Sequence, residues 1–331
     1  MDRYIPPFDL TYIMIDRLSN IMKNIGKLDN FKDLNKMPIL RRNNRIKSIH
    51  SSLAIEANSL SFDQVMDIID GKHVTGPLND IQEVKNAYDA YNLIDKVDQY
   101  SIEDLKLVHG VMTHLLLDEA GKFRKGNEGV FDETGVCIHV CPPPEQIDSL
   151  MTQLFEWMKE CSEFLHPLIL SSIFHYEFVF IHPFKDGNGR VARLWQNVIL
   201  YNWEELFEYV PIETQIKKHQ EEYYDVIAEC DHEGESTKFI EFMLKIIDET
   251  IEDLLKSTGE QANHVSSYIN KLLDVMEPGI AMNTVELMNK LNMKSRISFR
   301  DNYLKPALEN GLIKMTNPDK PTSKNQMYYK V

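Results

Sequence analysis

Twelve consecutive residues concentrate the chemistry of this chain: His182-Pro183-Phe184-Lys185-Asp186-Gly187-Asn188-Gly189-Arg190-Val191-Ala192-Arg193. They lie between two apolar segments, Leu168 to Ile181 and Val191 to Trp203, whose spacing predicts helices. The stretch is therefore a short turn feeding a helix N-terminus, where unpaired backbone N–H groups and the positive end of the helix dipole attract phosphate. Gly187 and Gly189 permit positive φ and let backbone approach an oxygen closely. Asn188 offers an amide donor, and Arg190 and Arg193, three apart, share a helix face from which to fork onto successive phosphates. Asp186 supplies a hard carboxylate oxygen suited to Mg2+, an ion commonly held by one carboxylate, phosphate oxygens and water. His182, with an ordinary pKa of ~6.5, is a base that stays mostly neutral near pH 7. Together these residue types specify a nucleotide-phosphate site.

The string resembles the Fic family motif, HxFx(D/E)GNGRxxR, at every specified position, and the resemblance implies that Gly187, Asn188, Gly189, Arg190, Val191, Ala192 and Arg193 bind the nucleotide. The resemblance covers most of the chain. Tyr4 to Leu10 looks like the start of the N-terminal region of long Fic proteins. Asn44 to Asn58 is similar to the family's inhibitory helix, (S/T)xxxE(G/N), with Ser52 and Glu56 in place and Ala57 where the pattern has Gly or Asn. Ser52 and Glu56 are four apart and face one way on a helix. The resemblance implies that Glu56 turns to Arg193, occupies the place of the terminal phosphate and leaves ATP in an unproductive pose. His219 to Ile227 looks like the family's Tyr-Tyr segment, so Tyr223 and Tyr224 are expected at adenine and ribose; Asp231 stands where relatives often have Asn.

Gly121 to Val130 and Gly135 to Pro144 read as a small hairpin, the second half alternating like a strand and stopping at prolines. In the resemblance this is the flap, with Cys137, Ile138, His139 and Val140 on the strand whose edge pairs with an extended segment of the target protein. Cys137, His139 and Cys141 alternate onto one strand face, but they lack the paired CxxC spacing of a structural zinc site, which favours ordinary strand packing.

The elements that position these residues are mainly helical. Leu10 to Leu28, Ile81 to Val97, Ser101 to Leu117, Glu145 to Cys161 and Thr237 to Leu255 carry helical apolar spacing, and at 331 residues with 43% hydrophobic content the chain can bury a large core. Residues 283 to 331 hold nine Lys and Arg against four acids, a balance of +5 beside −20 for the remainder of a chain of net charge −15. This segment begins with a capping box at Asn283 to Glu286, turns at Asn292, and continues with a helix from Ser298 to Glu309 and two strands, Leu312 to Met315 and Gln326 to Tyr329. That order is a winged helix, whose second helix would bring Lys294, Arg296 and Arg300 to a DNA groove and whose wing would bring Lys320 and Lys324 to phosphates; a +5 balance is modest, and such a domain can equally serve as a protein-interaction or packing module. The expected fold class is mainly α: a Fic-type helical bundle with a small β-hairpin flap, plus a C-terminal winged helix-turn-helix domain. The expected division is 1–95 for an N-terminal helical region with the inhibitory helix, 96–258 for a catalytic domain and 259–331 for the winged helix.

Four cysteines without a disulfide pattern and the lack of a secretory or membrane-spanning stretch point to a cytoplasmic protein. The resemblance implies AMP transfer from ATP to a hydroxyl of a target protein, with Mg2+ as cofactor and His182 as base. It also leaves room for a homo-oligomer. A transcriptional regulator using the pocket as an ATP sensor is the alternative, separable by whether an adduct forms.

Overall fold

The computed structural model describes residues 4–30, 38–131, 137–277, 279–309, 311–318, 320, 321, 323 and 326–330, with backbone alone at 29, 30, 38–40, 131, 137, 138, 258–266 and 309. Lys324 and the side chains of Cys137 and Ile138 lie outside the described set. The chain divides into two compact units, Met1–Asp253 and Leu254–Val331.

The first unit is built around two consecutive helices that carry the twelve-residue stretch between them. Its helices are α1 (Tyr12–Asn30), α2 (Pro38–Ile55), α3 (Phe62–Ile69), α4 (Leu78–Tyr91), α5 (Ile102–Met112), α6 (Pro144–Cys161), α7 (Pro167–Ile181), α8 (Asn188–Trp203), α9 (Ile212–Lys218) and α10 (Gln220–Glu233), with a 3-10 turn at Glu205–Tyr209. The first part of α11 (Thr237–Val275) completes it. α7 is buried on all sides from Leu168 to Phe178, as its near-continuous apolar sequence requires. It starts with Pro167 at its first position, and His166 caps it by accepting from the Leu168 N–H at 3.2 Å. α6 lays Ile147, Met151, Leu154 and Met158 inward, and Phe155 meets Phe174 of α7 edge-on at 5.3 Å. Burying an aromatic or large aliphatic side chain of this kind contributes about 1.5–3 kcal/mol. Trp195 of α8, fully buried, closes this core at 6.1 Å from Phe155.

α1 lies along α11 through polar ties: Arg17 pairs with Asp248 at 2.8 Å, and Asn20 donates to the same carboxylate. The hairpin forms from β1 (Gly129–Phe131) and β2 (Cys137–Val140), antiparallel, with Gly129 opposite Val140 and Val130 opposite His139.

Several boundaries differ from the periodic reading. α4 stops at Tyr91, six residues before Val97, and α5 stops at Met112 before Leu115, which takes φ +61°. α11 runs twenty residues beyond Leu255, through Gly259. A glycine inside a helix costs only about 1 kcal/mol, which neighbouring helix formers offset.

In the second unit, β3 (Met282–Asn283) precedes α12 (Thr284–Lys290), whose capping box joins Asn283 and Glu286 reciprocally. α13 (Arg296–Phe299), a π turn at Arg300–Leu304 and α14 (Lys305–Glu309) form one continuous rod, and β4 (Ile313–Met315) and β5 (Met327–Lys330) follow. The sheet order is β3-β5-β4. Leu287, Phe299, Leu304, Ala307, Ile313 and Tyr328 form its core with Leu272 and Met276.

Candidate active site

The end of α2 places one carboxylate in front of the α7–α8 turn. α2 finishes in a Schellman arrangement: the Asn58 N–H donates to the Leu53 carbonyl (3.1 Å), the Ala57 N–H donates to the Ala54 carbonyl (3.3 Å), and Ala57 takes φ +63°. The last helical turn therefore aims Glu56 at α8. Arg193 donates from Nη2 to Glu56 Oε1 at 2.7 Å, from Nη2 to the Ser52 carbonyl at 3.0 Å and from Nε to Ser52 Oγ at 3.1 Å. Both expected α2 residues thus bind one guanidinium, which is 1% exposed while the Glu56 side chain keeps 33%. Gly189 makes this approach possible, since a Cβ there would lie 2.5 Å from Glu56 Oε1 and 3.1 Å from Arg193 Nη1.

Glu56, His182, Gly189, Arg193, Tyr223, Tyr224, His139 and Asp231 line a single cavity of about 440 Å3. That volume is in the range of small-molecule sites. His182 caps α7 in the left-handed region, φ +50°, a conformation that costs a non-glycine residue about 1–2 kcal/mol. The His182 Nδ1 faces the Val179 carbonyl at 3.3 Å, which assigns the proton to Nδ1 and leaves Nε2 as the acceptor. Burial lowers its pKa below the usual imidazole value, and the nearby cations His139 and Arg124 push the same way. The group is a neutral base at pH 7.

Arg190 is placed otherwise. It is buried and held between Glu83 of α4, at 2.9 Å, and Asp186, at 3.3 Å. It does not line the cavity that Arg193 lines, and its carboxylate partners are Glu83 and Asp186. Asn188 likewise spends its amide within the turn, accepting from the Phe184 N–H at 2.9 Å and donating to the Phe184 carbonyl at 2.8 Å. Val191 and Ala192 are fully buried, so their side chains serve the core. Gly187 takes φ +80° and caps α8.

Asp186 keeps 62% of its side chain exposed and accepts from the Gly187 N–H at 2.5 Å. Among the described residues no cluster of three or more His, Cys, Asp or Glu side chains is placed to hold a metal. The exposed carboxylate beside the glycine turn fits a hard cation that draws its other ligands from phosphate and water.

Tyr223 and Tyr224 separate in role. Tyr223 is 2% exposed, and its hydroxyl donates to His175 Nε2 at 2.9 Å, while His175 Nδ1 donates to Gln196. Burial lowers the pKa of His175 to about 3, so it stays neutral. Tyr224 is 45% exposed and offers its ring to the cavity. On the hairpin, His139 is anchored from both nitrogens, to Asp231 at 2.9 Å and to the Phe180 carbonyl at 2.8 Å. Burial alone would lower its pKa, but these bonds and one to Cys141 raise it to about 10, so it is an imidazolium. Asp231 also accepts from the Tyr176 hydroxyl at 2.8 Å, which accounts for an acid at this position. Val140 is 79% exposed at the hairpin edge.

Three supports were not legible as site residues. His109 of α5 stacks on Phe184 at 3.7 Å, accepts from the Gly121 N–H and donates from Nε2 to the Asp186 carbonyl at 3.0 Å. Burial lowers its pKa to about 4. Arg124, also buried, donates to the carbonyls of His182 (2.7 Å), Gly126 (2.8 Å) and Pro142 (2.7 Å), tying the turn to the hairpin. Glu83 joins Arg190 to Asn58, whose Nδ2 donates to its other oxygen at 2.8 Å. A lone His in an apolar stripe and an Arg in a Gly-Lys loop were the available signals.

Residues 99–200 match a model of the Fic/DOC family, and residues 267–329 match the filamentation induced by cAMP protein Fic-like C-terminal domain. The chain is similar to a crystal structure of a Fic family protein from Desulfovibrio desulfuricans G20, with 39% identity, a TM-score of 0.75 and coverage of 99% of this chain and 98% of that one. It is 31% identical over 230 residues to the protein adenylyltransferase Fic of Aedes aegypti, covering 66% of this chain and 44% of that protein. It is 32% identical over 219 residues to the Nematostella vectensis protein of the same name, covering 63% and 48%. The chain thus spans about half the length of the curated relatives it matches. No helix among the described residues is long and apolar enough to cross a membrane.

Proposed function

Because this chain belongs to the Fic family, we propose that it is a nucleotidyltransferase that moves AMP from ATP to a Tyr, Ser or Thr hydroxyl of a target protein, its own chain included. The observation that carries this reading is one cavity holding a neutral histidine, a buried arginine and a carboxylate clasped to that arginine at 2.7 Å. The target hydroxyl oxygen attacks the α-phosphorus, the bond to the pyrophosphate oxygen breaks, and the hydroxyl proton passes to His182 Nε2. Arg193 takes a phosphate once Glu56 has left it, with the Gly187–Gly189 backbone at the start of α8. Tyr224 stacks on the base, and Tyr223 forms the wall behind it. Asp186 would hold Mg2+, which when bound would neutralise phosphate charge. The hairpin edge around His139 and Val140 pairs with the target segment.

In this reading residues 1–95 carry inhibition through Glu56 and Ser52, 96–258 carry catalysis in the cytoplasm, and 259–331 form a winged helix. Lys294, Arg296 and Arg300 are exposed at the start of its second helix, which favours a second reading: an ATP-sensing regulator that contacts DNA through them. Incubation with ATP followed by intact-mass measurement separates the two. The expected result is an AMP adduct that His182→Ala abolishes while ATP still binds. Undiminished adduct in that variant removes His182 as the base, and tight ATP binding without an adduct from the parent or from Glu56→Gly supports the sensor.

A further inference from the structure

Arg190 poses an electrostatic problem. Its side chain is 5% exposed, its Nε–H is buried without a partner among the described residues, and the carboxylate of Asp186 lies within reach of Nη2 at 3.3 Å from both oxygens. A buried guanidinium needs a counter-charge, since an unpaired one costs several kcal/mol. Were Asp186 the sole counter-charge, a divalent cation arriving at that carboxylate would have to displace it from the arginine. Glu83 relieves this conflict. Its Oε1 takes Nη1 at 2.9 Å, the shorter and better bond, and its side chain is 20% exposed, so the pair is well shielded from solvent.

The second oxygen of Glu83 is also committed. Oε2 accepts from Asn58 Nδ2 at 2.8 Å, and Asn58 is the residue whose backbone N–H closes the Schellman end of α2. Asn58 Oδ1 accepts in turn from the Leu60 N–H at 3.1 Å. A continuous chain of contacts therefore runs from the end of α2, through Asn58, Glu83 and Arg190, to Asp186. It is separate from the Glu56–Arg193 clasp, although Glu56 and Asn58 both lie in the turn that ends α2.

We infer that Glu83 is a positioning residue that neutralises Arg190 and so leaves Asp186 free for a divalent cation, and that Asn58 links this arrangement to the end of α2. The inference rests on the proposed role of Asp186. Outer contacts of this kind change metal affinity by roughly 10–100-fold when removed.

The test is calorimetric titration of ATP into the full chain carrying Glu56→Gly, with Mg2+ and with EDTA, alone and combined with Glu83→Gln or Asn58→Ala. Thermal melting of each variant checks folding. The expected result for Glu83→Gln is a Mg2+-dependent gain in ATP affinity cut by about tenfold, with affinity in EDTA unchanged. Asn58→Ala should give a smaller cut of the same sign, and Glu83→Asp should recover part of the gain. If Glu83→Gln loses affinity equally with Mg2+ and with EDTA, or keeps the full gain, the inference is wrong. A parent that gains nothing from Mg2+ would instead remove the metal role of Asp186, and the inference with it.

Discussion

Arg190 and Arg193 lie three residues apart on α8, yet they belong to two differently built regions. Arg193 lines the cavity and is bound by Ser52 of α2 and by Glu56 just after it, whereas Arg190 is turned to Glu83 of α4 and to Asp186 and does not line the cavity. A shared helix face fixes which way two side chains leave the helix; the partners packed against that face decide what each can touch. In the proposed function the cavity end is a clasp that opens for a phosphate to enter. The Arg190 end is a network of two carboxylates around one buried guanidinium, so its arginine is a structural cation more than a free anion receptor.

The largest effect that would sharpen this contrast is on transfer itself. In a Glu56→Gly background, Arg193→Ala should lower the rate of AMP incorporation by roughly a hundredfold or more, the scale for losing a donor aimed at developing charge. Arg190→Ala should act chiefly through the Mg2+ requirement, seen as a shifted Mg2+ titration. If the two variants lose rate equally at every Mg2+ concentration, the division between the ends collapses.

A pH-dependent stability effect comes next. Glu177 of α7 is buried, accepts from the Tyr4 hydroxyl at 3.1 Å, and has its pKa raised to about 7 by burial and by the nearby Asp231 charge. A carboxyl with a raised folded pKa binds protons more tightly when folded. Its contribution is full below the ordinary carboxylate pKa, falls as pH rises from about 4.5 to 7, and is lost above that. Glu177→Gln should therefore raise the melting temperature by a few degrees at pH 8 and by less at pH 5. Equal shifts at both values would show that the carboxyl titrates normally.

The smallest effect concerns the helix end that serves both regions. Ala57 holds φ +63°, where glycine is unstrained, so Ala57→Gly should stabilise the fold by about 0.5–1 kcal/mol after the entropy of the freer unfolded chain is counted. Denaturant unfolding measures it. A destabilised variant would mean that the Ala57 methyl contributes packing that outweighs the strain.

The contrast also marks what the sequence could tell. The grouping of His182, Asp186, the glycines and Arg193 on one turn is legible because their types fall within one short window, and the pairing of Glu56 with Arg193 is legible from the resemblance of Asn44 to Asn58 to the inhibitory helix. The pairing of Arg190 with Glu83 is not legible in the sequence, because Glu83 lies 107 residues away in the chain and sits in a helix whose polar residues look solvated. His109 was hidden for the same reason, being 77 residues from Asp186 and set in an apolar stripe that reads as core. Helix ends were misplaced where capping decided them. α4 ends at Asn92, which caps it, although apolar residues continue to Val97.

The most direct test of the account is the initial rate of AMP incorporation by the full chain and by Glu56→Gly, read by intact mass at saturating ATP and Mg2+. Opening a clasp worth only about 1.4 kcal/mol gives a tenfold larger competent population. Glu56→Gly should automodify at least that much faster than the parent, and equal rates for the two proteins would contradict an inhibitory role for Glu56.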